Sequence, residues 1–154
     1  DYLLSIEEML FLNSELSGDS IILEIGPGFG RLAHSILSNY SNIEKYYLID
    51  LPWMIDISKN FLEKVLNEKN FSKIHFISFD NYKNNLFNVD TVDLAINIDS
   101  FQEMPIKIAK DYLSFISKYC DKFYSKNAIC KCNPHTINLK KKITISCSNA
   151  DGPL

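Results

Sequence analysis

Short apolar runs bounded by polar residues alternate along this chain with stretches whose apolar residues recur every three or four positions. The first periodic stretch, 2–16, sets Leu3, Ile6, Met9 and Leu10 on one face and predicts an amphipathic helix ahead of the rest. Ser20–Ile25 (SIILEI) reads as a strand. A helix over about Gly30–Tyr40 follows, with Leu32, Ala33, Ile36, Leu37 and Tyr40 at helical spacing. Lys45–Asp50 (KYYLID) predicts a second strand, stopped by Leu51-Pro52. Pro52 suits a helix start, because its missing N–H is not needed in the first turn. That helix, about Trp53–Asn67, is expected to bury Ile57, Phe61, Leu62, Val65 and Leu66.

Lys73–Phe79 (KIHFISF) predicts a third strand, ended by Asp80-Asn81, and the polar, aromatic Tyr82–Asp90 a loop or short helix. Val92–Ile98 (VDLAINI) reads as a fourth strand. A helix from Pro105 to about Tyr119 would bury Ile106, Ala109, Tyr112, Leu113 and Ile116, and Asp121–Lys126 (DKFYSK) is a fifth strand. This rhythm, with strands apolar on both faces, predicts a parallel sheet covered by helices on both sides. Beyond Asn127 the pattern weakens to one candidate strand, Lys142–Cys147, and a tail over 149–154. The expected organisation is one domain over 1–154: a leading helix at 1–17, a core at 18–127 and a C-terminal segment at 128–154.

The bulk numbers exclude several classes. With 154 residues the chain suits one hydrophobic core and is short for two. Its 46% hydrophobic and 23% charged residues are those of an ordinary globular domain. A net charge of −3 offers no basic surface for nucleic acid, and no apolar run approaches the ~20 residues of a membrane span. The opening Asp1-Tyr2-Leu3-Leu4 lacks the basic start and small-residue cleavage site of a secretory leader. Four cysteines without paired spacing predict a reducing, cytoplasmic setting.

The densest chemical signal is Ser20–Arg31, SIILEIGPGFGR. A strand meets Glu24, then three glycines on alternate positions, Gly26, Gly28 and Gly30, and a helix starts at once. Glycines there let a ligand lie against the backbone and allow positive φ. The third glycine follows one residue, where the dinucleotide fingerprint has two. The pattern E-x-G-x-G-x-G resembles motif I of the class I methyltransferases that use S-adenosylmethionine. In open parallel sheets ligands bind beyond the carboxyl ends of the strands, and here those ends are polar. Asp50 closes strand two, where a carboxylate can accept from ribose hydroxyls. Asp80 closes strand three, within reach of an adenine amino group. Asn97 and Asp99 close strand four, beside the expected methionine half. Each acid also suits a helix cap or a turn. Glu24, at the end of a buried strand, needs a partner, so it is expected to hold the loop or contact the ligand through water.

EIGPGFGR, YYLIDLP, and above all NIDSFQEMP followed by a helix and FYSKN, resemble a bacterial family of sugar O-methyltransferases within the class I, S-adenosylmethionine-dependent group. The resemblance covers roughly residues 18–127. It implies a Rossmann-like sheet ordered 3-2-1-4-5, followed by a two-stranded hairpin that is reduced here to Lys142–Cys147. It implies S-adenosylmethionine as cofactor and a small, saccharide acceptor. Glu24, Gly26, Gly28, Gly30, Asp50, Leu51, Asp80 and Asn97 fall on the cofactor-contacting positions, and Asp99–Met104 on the loop beside the donor methyl.

A sugar hydroxyl needs a general base or a metal ion to remove its proton. Glu103, just before the Pro105 helix, and Asp99 are the candidates, although a Glu there also suits a helix start. His75 is expected to be structural, His34 to lie on a helix surface, and His135 in the C-terminal segment. Tyr46, Tyr47, Phe76 and Phe79 are expected in the core. Cys130, Cys132, His135 and Cys147 lack zinc-knuckle spacing, so no metal site is expected, and Lys140-Lys141-Lys142 reads as a solvated turn. Two other functions fit the glycine loop: a catalytically inactive binding module, and an NAD-dependent oxidoreductase.

Overall fold

The computed structural model describes residues 2–18, 20–82 and 91–128. The candidate strand Lys142–Cys147, the group Cys130, Cys132, His135 and Cys147, Lys140–Lys142, the tail, and residues 83–90 lie outside them. The elements run α1 (Tyr2–Leu12), β1 (Ser20–Ile25), α2 (Arg31–Asn39), β2 (Ile43–Asp50), α3 (Pro52–Val65), α4 (Glu68–Phe71), β3 (Ile74–Ser78), β4 (Val92–Ile98), α5 (Ile106–Tyr119) and β5 (Cys120–Lys126). Single 3₁₀ turns occupy Phe79–Asn81 and Phe101–Glu103.

Successive strand residues face opposite ways, and both faces are apolar. Ile22, Tyr46, Leu48, Leu94 and Ile96 meet Leu12 and Leu16, together with Leu32, Ala33, Ile36 and Leu37 of α2 and Leu62 of α3. Leu23, Ile25, Tyr47, Ile49 and Ala95 meet Tyr112, Phe115 and Ile116 of α5. Each fully buried Leu or Ile contributes about 2 kcal/mol, so burial on two faces holds the sheet between its helices. The strands are parallel in the order β3-β2-β1-β4-β5. This is the expected 3-2-1-4-5 sheet.

The strand limits follow the sequence closely, with β1 and β4 as expected. β3 ends one residue early, at Ser78, which takes Phe79 out of the strand and into the following turn. β5, at the sheet edge, is largely exposed, including Phe123.

Three expected helix faces are corrected. α1 turns Ser5, Glu8 and Leu12 inward, whereas Leu3 and Leu10 are 80% and 73% exposed and Ile6 is exposed as well. The reason is electrostatic: the ends of α2 and β5 present Arg31 and Lys126, and the face carrying Glu8 meets both. α3 buries Ile55, Ser58 and Leu62 in place of Ile57 and Val65. Its buried Ser58 hydroxyl is satisfied by the Ile55 carbonyl at 3.0 Å. In α5, Phe115 takes the inward position expected of Leu113, and Ile106 lies exposed at the helix start.

Gly30, the N-cap of α2, sits at φ 90°, and a Cβ there would stand 2.7 Å from Leu62 Cδ1. Gly18 has nothing within 4 Å of the same position. Gly30→Ala should therefore cost about 2 kcal/mol in urea denaturation, and Gly18→Ala less than about 0.5 kcal/mol. Equal losses in the two variants would refute this packing account.

Candidate functional site

Ile25, the last residue of β1, pairs with Ile49 on one side and with Asn97 on the other. That register puts the turn Gly26–Gly30 between Asp50 and the loop that follows β4, where the strand order reverses and open α/β sheets bind ligands. Gly26, Gly28 and Gly30 all have positive φ. Their reasons differ. A Cβ on Gly26 would stand 2.3 Å from Ser100 Oγ, so the loop after β4 packs directly on this residue. A Cβ on Gly28 would meet nothing within 4 Å, so the backbone there is open to a ligand.

Asp50 is fastened by the turn it faces. The Gly28 N–H donates to its Oδ2 at 3.1 Å and the Leu51 N–H to its Oδ1 at 2.7 Å. A carboxylate has about four lone-pair sites, so roughly two remain for an incoming pair of hydroxyls. Burial raises the pKa of Asp50, and these two N–H bonds oppose the shift.

The opposite wall rests on a buried amide network. Asn97 has no solvent exposure. Its amide donates to the Ile25 carbonyl at 2.9 Å and to Ser100 Oγ, and its oxygen accepts from Asn127 Nδ2 at 2.8 Å. Ser100 Oγ also donates to the Ile25 carbonyl at 3.1 Å, and Asn127 Oδ1 accepts from the Phe101 N–H at 3.1 Å. The ends of β1, β4 and β5 are thereby joined to the loop that carries Glu103.

Between the two walls lies a cleft of about 340 Å³, within the usual range for small-molecule sites. Gly26, Ile49, Asp50, Leu51, Trp53, Met54 and Phe79 line one part of it, and Ser100, Glu103, Met104, Ile108 and Tyr112 the other. Of the residues singled out in the sequence, the structure brings together Gly26, Asp50, Leu51 and Glu103 here. Gly28 and Gly30 belong to the same turn. Asn97 stands behind the wall, committed to protein partners. Asp80 is exposed in its 3₁₀ turn and does not line the cleft. Asp99 is exposed at φ 54° and accepts from Gln102 Nε2 at 3.3 Å.

Glu24 points to the α1–α2 face, where it accepts from the Tyr46 hydroxyl at 2.8 Å. Burial pushes its carboxyl up to about 7, against the Tyr46 hydrogen bond and with a contribution from the Glu8 charge. His34 is half-buried, with Nδ1 3.0 Å from the Tyr2 hydroxyl, and exposed His75 stacks on Tyr47.

Phe79, expected in the core, and Tyr112, expected on the buried face of α5, are cleft walls. Ser100 and Met104 belong to the expected Asp99–Met104 loop, and Trp53, Met54 and Ile108 escaped sequence reasoning as site residues. Trp53 left a usable signal, an aromatic directly after an Asp-Leu-Pro strand end; it is 59% exposed. Ile108 and Tyr112 left none, because helical periodicity reads a cleft wall and a core alike.

No family model matches the sequence, and no curated protein sequence matches it. Solved structures do. The chain is similar to the glycopeptide N-methyltransferase MtfA complexed with S-adenosyl-L-methionine, at 14% identity over 79% of this chain and 53% of that one, with a TM-score of 0.62. It is similar to magnesium protoporphyrin IX methyltransferase from Synechocystis PCC 6803 with bound SAH, at 18% identity, 78% and 52% coverage and a TM-score of 0.60. The methyltransferase domain of bacterial CtHen1 gives 18% identity, 70% and 55% coverage and a TM-score of 0.57. The chain spans about half the length of these structures. The likeness defines the fold: an α/β, Rossmann-like core with five parallel strands ordered 3-2-1-4-5, as in these methyltransferase structures.

The Glu24 carboxyl has a consequence for stability. Its folded value lies above the ordinary 4.5, so the native state holds the proton more tightly, and the stability it contributes is lost as pH rises through about 7. Relative to Glu24→Gln, the wild type should lose about 3 kcal/mol between pH 4.5 and pH 8 in urea denaturation. A constant difference between the two proteins across that window would refute the assignment.

Proposed function

We propose that this chain is an S-adenosylmethionine-dependent O-methyltransferase whose acceptor is a small molecule with a sugar hydroxyl. The observation that carries the cofactor reading is the pairing of Asp50 with the glycine turn. The carboxylate is held by two backbone N–H groups, has acceptor capacity left over, and faces a cleft beside the unobstructed backbone of Gly28. An adenosyl ribose asks for that arrangement, and no phosphate-sized third-glycine spacing accompanies it. The similar structures are methyltransferases, two of them with S-adenosyl-L-methionine or SAH bound, and they support the same reading. The sugar acceptor rests on the resemblance carried by NIDSFQEMP and FYSKN.

When bound, S-adenosylmethionine supplies a methyl group activated by the sulfonium. Methyl transfer is an in-line displacement, in which alignment and exclusion of water provide most of the acceleration. In this reading Asp50 accepts from the ribose hydroxyls, and Leu51, Trp53, Met54 and Phe79 form the apolar wall for the base. The Gly26, Gly28 and Gly30 N–H groups are engaged by the Ile49 carbonyl, Asp50 and the Pro27 carbonyl. The methionine carboxylate is therefore received at the open backbone of Gly28 and the N-terminus of α2, whose dipole favours an anion. Glu103, on the facing wall, takes the proton of the acceptor hydroxyl. Asp99 is the second candidate base.

Calorimetric titration tests the cofactor. The wild type should bind SAH at micromolar concentration and not bind NAD, and Asp50→Ala should weaken SAH by at least about tenfold, the loss of roughly two charge-assisted hydrogen bonds. Binding of NAD instead would make the protein an oxidoreductase. A folded sample that binds neither would make it a module without this cofactor. Glu103→Gln should lower turnover of a sugar acceptor by about 100-fold or more, with SAH affinity within about twofold of wild type. Full activity would remove Glu103 from the chemistry.

A further inference from the structure

α1 buries a carboxylate that the cleft does not touch. The Glu8 side chain is 1% exposed, with Arg31 Nη2 at 3.2 Å and Lys126 Nζ at 3.4 Å. Arg31 Nη1 also donates to Ser5 Oγ of α1 at 2.6 Å. These cations occupy particular places. Arg31 opens α2 and follows Gly30, the last glycine of the turn. Lys126 closes β5 and precedes Asn127, whose amide holds Asn97 and the Phe101 N–H. One carboxylate on α1 therefore ties together the roots of both walls of the cleft.

Burial alone does not explain the arrangement. To present Ser5 and Glu8, the helix leaves Leu3, Ile6 and Leu10 in solvent. Exchanging a buried ion pair for well-packed apolar side chains is often neutral or stabilising. What the pair supplies and an apolar contact does not is a fixed direction: the guanidinium fork meets Ser5 with one nitrogen and Glu8 with the other, which orients the start of α2.

We infer that Glu8 is a positioning residue of the cofactor site, acting through Arg31 to hold the glycine turn in the form that receives the methionine carboxylate. The inference rests on the cofactor reading given above. It assigns α1 to the site as a strut, although no residue of α1 lines the cleft. Because the strut ends at the glycine turn, it acts on the methionine end of the ligand. The ribose and base, on Asp50 and the apolar wall, are independent of it.

Two probes separate those ends: SAH, which carries the methionine carboxylate, and adenosine, which lacks it. Both would be titrated into the full chain, wild type, Glu8→Leu and the double variant Glu8→Leu/Arg31→Leu, with thermal unfolding measured alongside. Glu8→Leu takes the carboxylate from half-buried Arg31, so it should lower the unfolding temperature and weaken SAH. The double variant should regain the wild-type unfolding temperature, yet bind SAH about tenfold more weakly than wild type with adenosine affinity within about twofold. Wild-type SAH affinity in the double variant, or an equal loss for both probes, would overturn the inference and leave the pair a structural contact. Should the double variant fail to fold, Arg31→Lys keeps the charge and removes the fork. It should lower SAH affinity several-fold with adenosine unchanged, and a wild-type ratio of the two would overturn the inference as well. Wild-type protein that binds neither probe overturns the cofactor reading and this inference together, whereas wild-type binding with an unchanged ratio in the variants overturns only the inference.

Discussion

The contact between Ser100 and the α-carbon of Gly26 is the constraint around which the site is built. It leaves no room for a Cβ, and it brings the loop after β4 against the turn after β1 at the point where the strand order reverses. Ser100 cannot withdraw, because its hydroxyl is bonded to the Ile25 carbonyl and joined to Asn97. Asn97 in turn is paired by strand register with Ile25 and is held by Asn127 beyond the end of β5. The width of the cleft follows from this chain of contacts, and the distance between Asp50 on one wall and Glu103 on the other follows with it.

Polar groups inside the molecule serve the same end. A buried amide or carboxylate is costly unless its partners are supplied, and once they are supplied it admits few alternative arrangements. Asn97 has its partners at the end of β1, just beyond β5 and in the loop after β4, Glu24 has the Tyr46 hydroxyl, and Glu8 has Arg31 and Lys126. All three lie close under the carboxyl ends of the strands. The apolar cores on the two sheet faces supply stability, while these groups fix how the loops above them stand.

Much of the fold could be read from the chain because its strands are short apolar runs with sharp polar ends, and β1 and β4 fell where the runs predict. Helix orientation was less legible. Periodicity on α1 marked Leu3, Ile6 and Leu10 as an inward stripe, and the helix docks by Glu8 instead, since its partner surface offers cations. The candidate site divides in the same way. Gly26, Asp50, Leu51 and Glu103 were legible as strand-end and loop residues and meet at one cleft. Ile108 and Tyr112 carry no local mark of a cleft wall, and the same helical spacing serves a core.

The sequence by itself determined the alternation of strands and helices, the glycine turn after the first strand and the acid after the second. These are local: they depend on which residues tolerate positive φ, end a strand or bury both faces. Only the tertiary structure decided which glycine faces open space and which faces a neighbour, and which acids reach the cleft and which turn to Tyr46, Arg31 or Gln102. Those outcomes depend on register between strands far apart in the chain, Ile25 beside Ile49 and Asn97, and no local pattern encodes what a distant strand will set beside a given residue.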